Sequence, residues 1–225
     1  LAPWQLHTLR QSTQMAYLIS GIALGDNAAS ELTQLTHETA IRQAGPYHDG
    51  SWEVISLIAP DGDPERQFVK RGDVYKPTPI LDRCTSIKGF LDTLPGELRR
   101  VRLSRLRAAG SIEWHLDDFE EKTDERIFRI HIPIVSAPEN FQIISHSAMF
   151  WDVGEAWLGD YRFPHKVINA SRLDRLHLII DLKPSDAFIQ HVNLRMNIDW
   201  FGQERRLQID ATKSMLMDWR NSARP

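Results

Sequence analysis

From Arg99 onward the chain consists of short segments in which apolar and polar residues alternate, broken by turn signals at Ala108-Ala109-Gly110, Ala137-Pro138-Glu139-Asn140 and Asp152-Val153-Gly154. Alternation with a period of two marks strands, and no long helical pattern intervenes before Asp181. That order predicts antiparallel sheets rather than βαβ units, and the spacing fits a mainly β jelly roll. Helices are predicted to flank it. One is read over Ser30 to Gly45, with Ser30 as N-cap, Leu32, Leu35 and Ile41 among its apolar positions, and Gly45-Pro46 as its stop. A strand over Trp52 to Ile58 runs into the turn Pro60-Asp61-Gly62-Asp63, and a second short helix covers Ser86 to Leu94. Pro184 breaks the last core strand. Beyond it, Arg205 to Arg220 shows helical spacing of Leu207, Met215, Leu216 and Trp219, an appendage expected to cover the barrel or a second subunit. The chain has 225 residues, no internal repeat and no low-complexity linker. One domain, 1–225, is therefore expected, with a jelly-roll core at about 99–182 and a partly helical appendage at about 185–225.

Two of these strands carry polar groups whose placement matters. In the run from Arg175 to Asp181, alternation sets Arg175, His177 and Ile179 on one face and Leu176, Leu178 and Ile180 on the other. So apolar a strand is interior, and an arginine there needs an anion, because a guanidinium keeps its charge and is costly to bury unpaired. A structural salt bridge and a small dicarboxylate ligand both answer that need. The run Arg126 to Ile134 likewise sets Arg129 and His131, with Ile127 and Pro133, opposite a face of Phe128, Ile130, Ile132 and Ile134. Its plain reading is a half-buried strand with the polar side in solvent.

The densest chemistry lies in Trp114-His115-Leu116-Asp117, where a histidine and a carboxylate two positions apart on a strand point the same way and can chelate one metal ion. Chance alone supplies about one His-x-acid pair in a chain of this composition, so context must carry the reading. Of the nine histidines only His115 has an acid two positions on. A third ligand is found in His165, which follows the turn Phe163-Pro164 and opens an apolar-rich segment. Two imidazoles and a carboxylate with open coordination positions form the facial set of non-heme Fe(II) oxygenases. Asp118 is the rival carboxylate, turned to the opposite face by strand alternation.

Composition narrows the classes. A net charge of −3 offers no general basic field for nucleic acid. No apolar run approaches membrane-spanning length, and the N-terminus lacks the basic segment and apolar block of a signal peptide. Cys84 is the only cysteine and reads as packing, so a cytoplasmic, reducing compartment is expected.

In order along the chain, Ser104, His115-x-Asp117, Arg129-x-His131, His165 and Arg175 resemble the aspartyl/asparaginyl β-hydroxylase family of Fe(II)- and 2-oxoglutarate-dependent oxygenases. The likeness runs from about Gly50 to Asp181, through Gly50-Ser51-Trp52, Leu103-Ser104-Arg105-Leu106, Gly154-Glu155-Ala156-Trp157 and Leu176 to Asp181. It implies a double-stranded β-helix of cupin type, iron held by His115, Asp117 and His165, and the distal carboxylate of 2-oxoglutarate held by Arg175 and Ser104. Arg129 and His131 would help orient the cosubstrate. With O2, oxidative decarboxylation would yield succinate and carbon dioxide and hydroxylate an amino acid or an aminoacyl or peptidyl side chain. The animal hydroxylases of the family lack the metal-binding carboxylate, so Asp117 points to the bacterial branch that acts on amino acids, and away from halogenation. Partners would be a small-molecule amino acid or a carrier- or peptide-bound substrate, with no nucleic acid and no membrane, and a homodimer through the C-terminal region. Arg83, Arg100, Arg102, Lys122 and Arg126 are the unranked candidates for a substrate carboxylate. Two other classes stay open: a non-catalytic jelly-roll ligand-binding module, and a cupin-like metal-dependent hydrolase or isomerase.

Overall fold

The computed structural model describes residues 1–37 and 40–222. Its elements are α1 (Pro3–Arg10), β1 (Ala16–Ala23), α2 (Asp26–Gln34), β2 (Ile41–Arg42), β3 (Trp52–Pro60), β4 (Tyr75–Pro77), α3 (Thr85–Leu91), β5 (Gly96–Leu106) and β6 (Ser111–His115). They continue as α4 (Phe119–Thr123), β7 (Phe128–Val135), β8 (Asn140–Ile144), β9 (Ser147–Met149), β10 (Glu155–Gly159), β11 (His165–Asn169), β12 (Arg175–Pro184), α5 (Asp186–Met196) and α6 (Gln203–Ser222).

Two antiparallel sheets face each other. The larger runs β1-β10-β7-β12-β5-β3-β2 with β4 added to β3, and the smaller runs β6-β11-β8-β9. The mainly β jelly roll with flanking helices is thus the observed fold. Its large sheet draws β1 and β3 from well before position 99, so strands of the N-terminal segment complete the core.

Period two decides which side of the large sheet is apolar. Leu178 on β12 pairs with Leu103 on β5 and Ile132 on β7, and Ile180 pairs with Val101 and Ile130. That face packs on Leu32 of α2, Ile87 of α3 and Val192 of α5 in the main core. The opposite face carries the row His177–Ser104 and the row Asp181–Arg129, and it looks toward the small sheet. One face thus supplies burial and the other supplies chemistry.

The helix read over Ser30 to Gly45 is corrected. It begins at Asp26 after Gly25, with the Asp26 charge in the first turn favouring a helix N-terminus, and it ends at Gln34 before a short 3-10 turn, Leu35–His37. Leu32 and Leu35 are buried as a helix face requires, but Ile41 pairs with Val54 as an edge strand. Tertiary pairing overrides helical spacing there, and residues 38 and 39 of the segment lie outside the described residues.

The C-terminal appendage packs on its own barrel. Asp160 is fully buried between Arg162 and Arg205 at 2.7 Å each, and Trp219 meets the buried Trp4 edge-on at 5.6 Å. Burial pushes the Asp160 carboxyl up, yet the two guanidiniums outweigh it and hold it down at about 2. No helix among the described residues is long and apolar enough to cross a membrane.

Candidate active site

β6 and β11 are neighbours in the small sheet, and their register places His115 directly opposite His165, with ring centroids 4.0 Å apart. Each ring donates from Nδ1 to a backbone carbonyl two residues upstream, His115 to Glu113 at 2.7 Å and His165 to Phe163 at 3.0 Å. With Nδ1 so occupied, both rings present Nε2 as a lone pair, the form a metal needs. Burial holds His115 down at about 4 and His165 well below the usual imidazole range, so both are neutral at physiological pH.

Asp117 completes the cluster. Its Oδ2 lies 3.7 Å from His165 Nε2, and one ligand atom from each of the three residues falls within 4.8 Å of the others. Strand alternation is not what aims it, because β6 stops at His115. The chain turns instead, the Asp117 N–H donating to the Tyr161 carbonyl at 3.2 Å. Asp118 becomes the residue before α4, and its carboxylate pairs with Lys122 at 2.9 Å, away from the histidines.

Arg129 and His131 are buried, so the reading of a solvent-facing polar side is overturned. Arg129 also lines the chamber, held by two carboxylates. Its guanidinium grips the fully buried Asp181 through Nε at 2.5 Å and Nη2 at 3.0 Å, and Nη1 contacts Asp117. Arg100 and Arg102 reach the same Asp181 at 3.2 and 3.0 Å. Burial pushes the Asp181 carboxyl up, but the guanidiniums of Arg129, Arg102 and Arg100 prevail and keep it far below the usual carboxylate range. Of the other candidate cations, Lys122 is spent on Asp118 and Arg126 lies over the Phe201 ring at 5.5 Å.

Arg175 sits differently. It donates to Gln142 Oε1 and His177 Nδ1, each at 3.1 Å, and among the described residues it has no carboxylate partner. Burial brings this guanidinium down to about 10. A salt bridge therefore does not explain it. Nearby, Ser104 Oγ accepts from Trp52 Nε1 at 2.9 Å. Gln142 Nε2, the Tyr161 hydroxyl and His131 Nδ1 are buried without a hydrogen-bond partner among the described residues. Leaving such groups unpaired costs about 1–3 kcal/mol each, which marks a wall built for a polar ligand.

These side chains line one small chamber with His115, Asp117 and His165. The Tyr161 ring stacks on His131 at 4.7 Å and meets His165 edge-on at 4.9 Å. Gly159 makes room for it, since a Cβ there would lie 2.6 Å from the ring. Beyond Asp117 an open cleft of about 730 Å³ runs between the α4 segment and α6. Asp181, Gln142 and Tyr161 were absent from the sequence-based candidates. Asp181 shares the parity of Arg175 and His177, and Gln142 interrupts an apolar strand, so both left a signal.

The family model of the aspartyl/asparaginyl β-hydroxylases matches residues 26–184. The chain belongs to this family. Among solved structures, an oxidoreductase of the 2OG-Fe(II) oxygenase family from Burkholderia pseudomallei is 13% identical, with 80% of this chain and 88% of that one covered and a TM-score of 0.51. The non-heme alpha-ketoglutarate-dependent epimerase SnoN from nogalamycin biosynthesis is also 13% identical, covering 80% of each chain with a TM-score of 0.50. At such identities the likeness is one of fold. No curated protein matches the chain.

Proposed function

We propose that this hydroxylase-family chain is an Fe(II)- and 2-oxoglutarate-dependent dioxygenase that hydroxylates an amino acid or an aminoacyl or peptidyl side chain and releases succinate and carbon dioxide. One juxtaposition carries the reading: three convergent metal-binding side chains share a chamber with a buried arginine that has no carboxylate partner among the described residues. A metal-dependent hydrolase needs the first and has no use for the second.

The residues fit both groups chemically. His115, Asp117 and His165 would hold the iron, two neutral nitrogens and one carboxylate suiting that metal and leaving positions for ligands. Arg175 with Ser104 would bind the distal carboxylate of the cosubstrate, and a planar fork suits a carboxylate better than a lysine. When bound, iron, 2-oxoglutarate and O2 supply the oxidant that no side chain can provide. Arg129 steadies Asp117 from behind while Asp181 fixes Arg129. Tyr161, kept neutral because burial pushes its phenol up, remains a hydrogen-bond donor in the wall. The chamber is tight, about 40 Å³, so a five-carbon diacid has to part its side chains to enter. Substrate would approach through the larger cleft, bringing one carbon next to the metal at the Asp117 rim. The single-domain organisation over 1–225 is part of the same proposal, since α6 forms one wall of that cleft.

Anaerobic titration of the Fe(II)-loaded protein with 2-oxoglutarate tests the reading. A metal-to-ligand charge-transfer band is expected. Metal binding without the band would leave a hydrolase or isomerase, and neither would leave a binding module.

A further inference from the structure

We infer that α6 is a positioning element of the metal centre, acting on His115 through Arg220 and Tyr47; the inference rests on reading His115 as a metal ligand. Nothing in the family match reaches this helix, which begins nineteen residues beyond its end at position 184. The argument starts from what fixes the His115 ring. Its Nδ1 bond to Glu113 sets the tautomer and the tilted His165 ring lies 4.0 Å away, but neither is a parallel stack that limits the ring's swing about its side-chain torsions. Tyr47 restricts that swing by stacking on it, ring centroids 5.6 Å apart and planes 17° from parallel. Trp52, tilted at 6.2 Å, is a looser neighbour.

Tyr47 in turn is held from the helix. The Arg220 guanidinium carbon lies 4.7 Å from the Tyr47 ring centroid, and Nη1 is 3.5 Å from the Tyr47 hydroxyl. Nη2 donates to the carbonyl of Trp114 at 2.5 Å, the residue immediately before His115. One side chain near the end of α6 therefore grips both the stacking partner of the ligand and the strand that bears it. The Tyr47 carbonyl also accepts from the Glu113 N–H at 2.6 Å, so the stack is registered to β6 at two points. The rest of α6 is docked independently, by Arg205 on Asp160, by Lys213 on Glu121 and by Trp219 on Trp4. Arg220 is thus dispensable for holding the helix in place and specific to the His115 side.

The test uses Co(II) as the probe, on the full chain, with affinity from equilibrium dialysis, the visible Co(II) spectrum, and melting of the metal-free protein. Tyr47→Phe keeps the ring and should match the parent. Tyr47→Leu and Arg220→Met should weaken Co(II) binding by about three- to tenfold and alter the spectrum, while metal-free melting stays within about 2 °C. Parental affinity and spectrum in both variants would overturn the proposal, as would an equal loss in Tyr47→Phe. If Tyr47→Leu fails to fold, Arg220→Met decides alone. His115→Ala run alongside separates the two levels: Co(II) binding unchanged in that variant removes the ligand assignment itself.

Discussion

Replacing Arg175 with Met gives a prediction in which two readouts move in opposite directions. In the ligand-free protein this guanidinium is buried beside neutral acceptors only, Gln142 and His177. Burial lowers it from 12.5 to about 10, and at 1.36 kcal/mol per unit the charged form loses about 3 kcal/mol of stability on folding. The sign follows from the lowered folded value: the penalty is present in full below about pH 10, hence at neutral pH. Methionine removes it and fills similar space, but it leaves Gln142 Oε1 and His177 Nδ1 without their donor, at about 1 kcal/mol each. The ligand-free variant should therefore be as stable as the parent or up to about 1 kcal/mol more stable, a melting shift of zero to about +4 °C for a chain of this size. Breaking a structural buried salt bridge would instead cost about 3–5 kcal/mol.

With 2-oxoglutarate the effect reverses. Losing a buried charge-assisted contact to a carboxylate costs about 2–5 kcal/mol, at least tenfold in affinity. Calorimetric or spectroscopic titration of the metal-loaded variant, beside a melting curve of the metal-free one, provides both numbers. A variant that binds 2-oxoglutarate like the parent would refute the clamp, and one that melts more than 6 °C lower would mean Arg175 has a structural partner after all.

Other expectations follow from the same geometry. His165→Ala should remain folded and lose metal binding by equilibrium dialysis and turnover by succinate release; full turnover would remove His165 from the centre. Asp117→Gly should lose most hydroxylation while still binding 2-oxoglutarate through Arg175 and Ser104, whereas Asp118→Ala, which gives up only a rim contact to Lys122, should be mild. Succinate and oxygenated product measured for both variants decide it, and the reverse pattern would show that the wrong carboxylate was chosen. Finally, His115 is held at about 4 when folded against 6.5 when unfolded, so between those values the unfolded chain binds the extra proton. Metal-free stability should fall as pH drops from about 6.5 to 4, by about 3 kcal/mol for this group, and His115→Asn should flatten that part of a urea-midpoint profile. Equal slopes in parent and variant would contradict it. Metal competition by protons shifts to the same low range, below the ordinary histidine range.

How much of this was legible depends on distance along the chain. His115, Asp117, His165 and Arg175 were reached from local pattern and family likeness, because strand parity and ordered spacing are short-range signals. Asp117 was chosen for a reason the fold does not use: the strand ends one residue after Trp114, and a turn bonded to Tyr161 aims the carboxylate. The helix over Ser30 to Gly45 failed where Ile41 met Val54, a pairing no window of sequence contains. Asp181 was half legible. It continues the row Arg175, His177, Ile179, yet its three arginines come from β5 and β7, and only the register of β12 between them brings these together. Tyr47 and Arg220 left no local trace, being 173 positions apart.

The site's charge explains why so costly an arrangement persists. Four buried or nearly buried guanidiniums, Arg100, Arg102, Arg129 and Arg175, confront only two carboxylates, Asp117 and Asp181, and one of those carboxylates is also the candidate metal ligand. Asp181 absorbs three of the cations at once, so Arg129 is already anchored when it turns its remaining donor to Asp117. A surplus of positive charge in a dry chamber destabilises the empty protein, and the apolar face of the same sheet offsets that through Leu178, Ile180 and Phe128 packed on the helices. The surplus lies next to Arg175 and the unpaired Gln142 and Tyr161 groups, away from the acidic α4 rim. A metal dication alone would deepen the imbalance. A dicarboxylate entering with it would cancel the added charge, and that pairing of one cation with one dianion is the demand a 2-oxoglutarate-dependent centre makes of its protein.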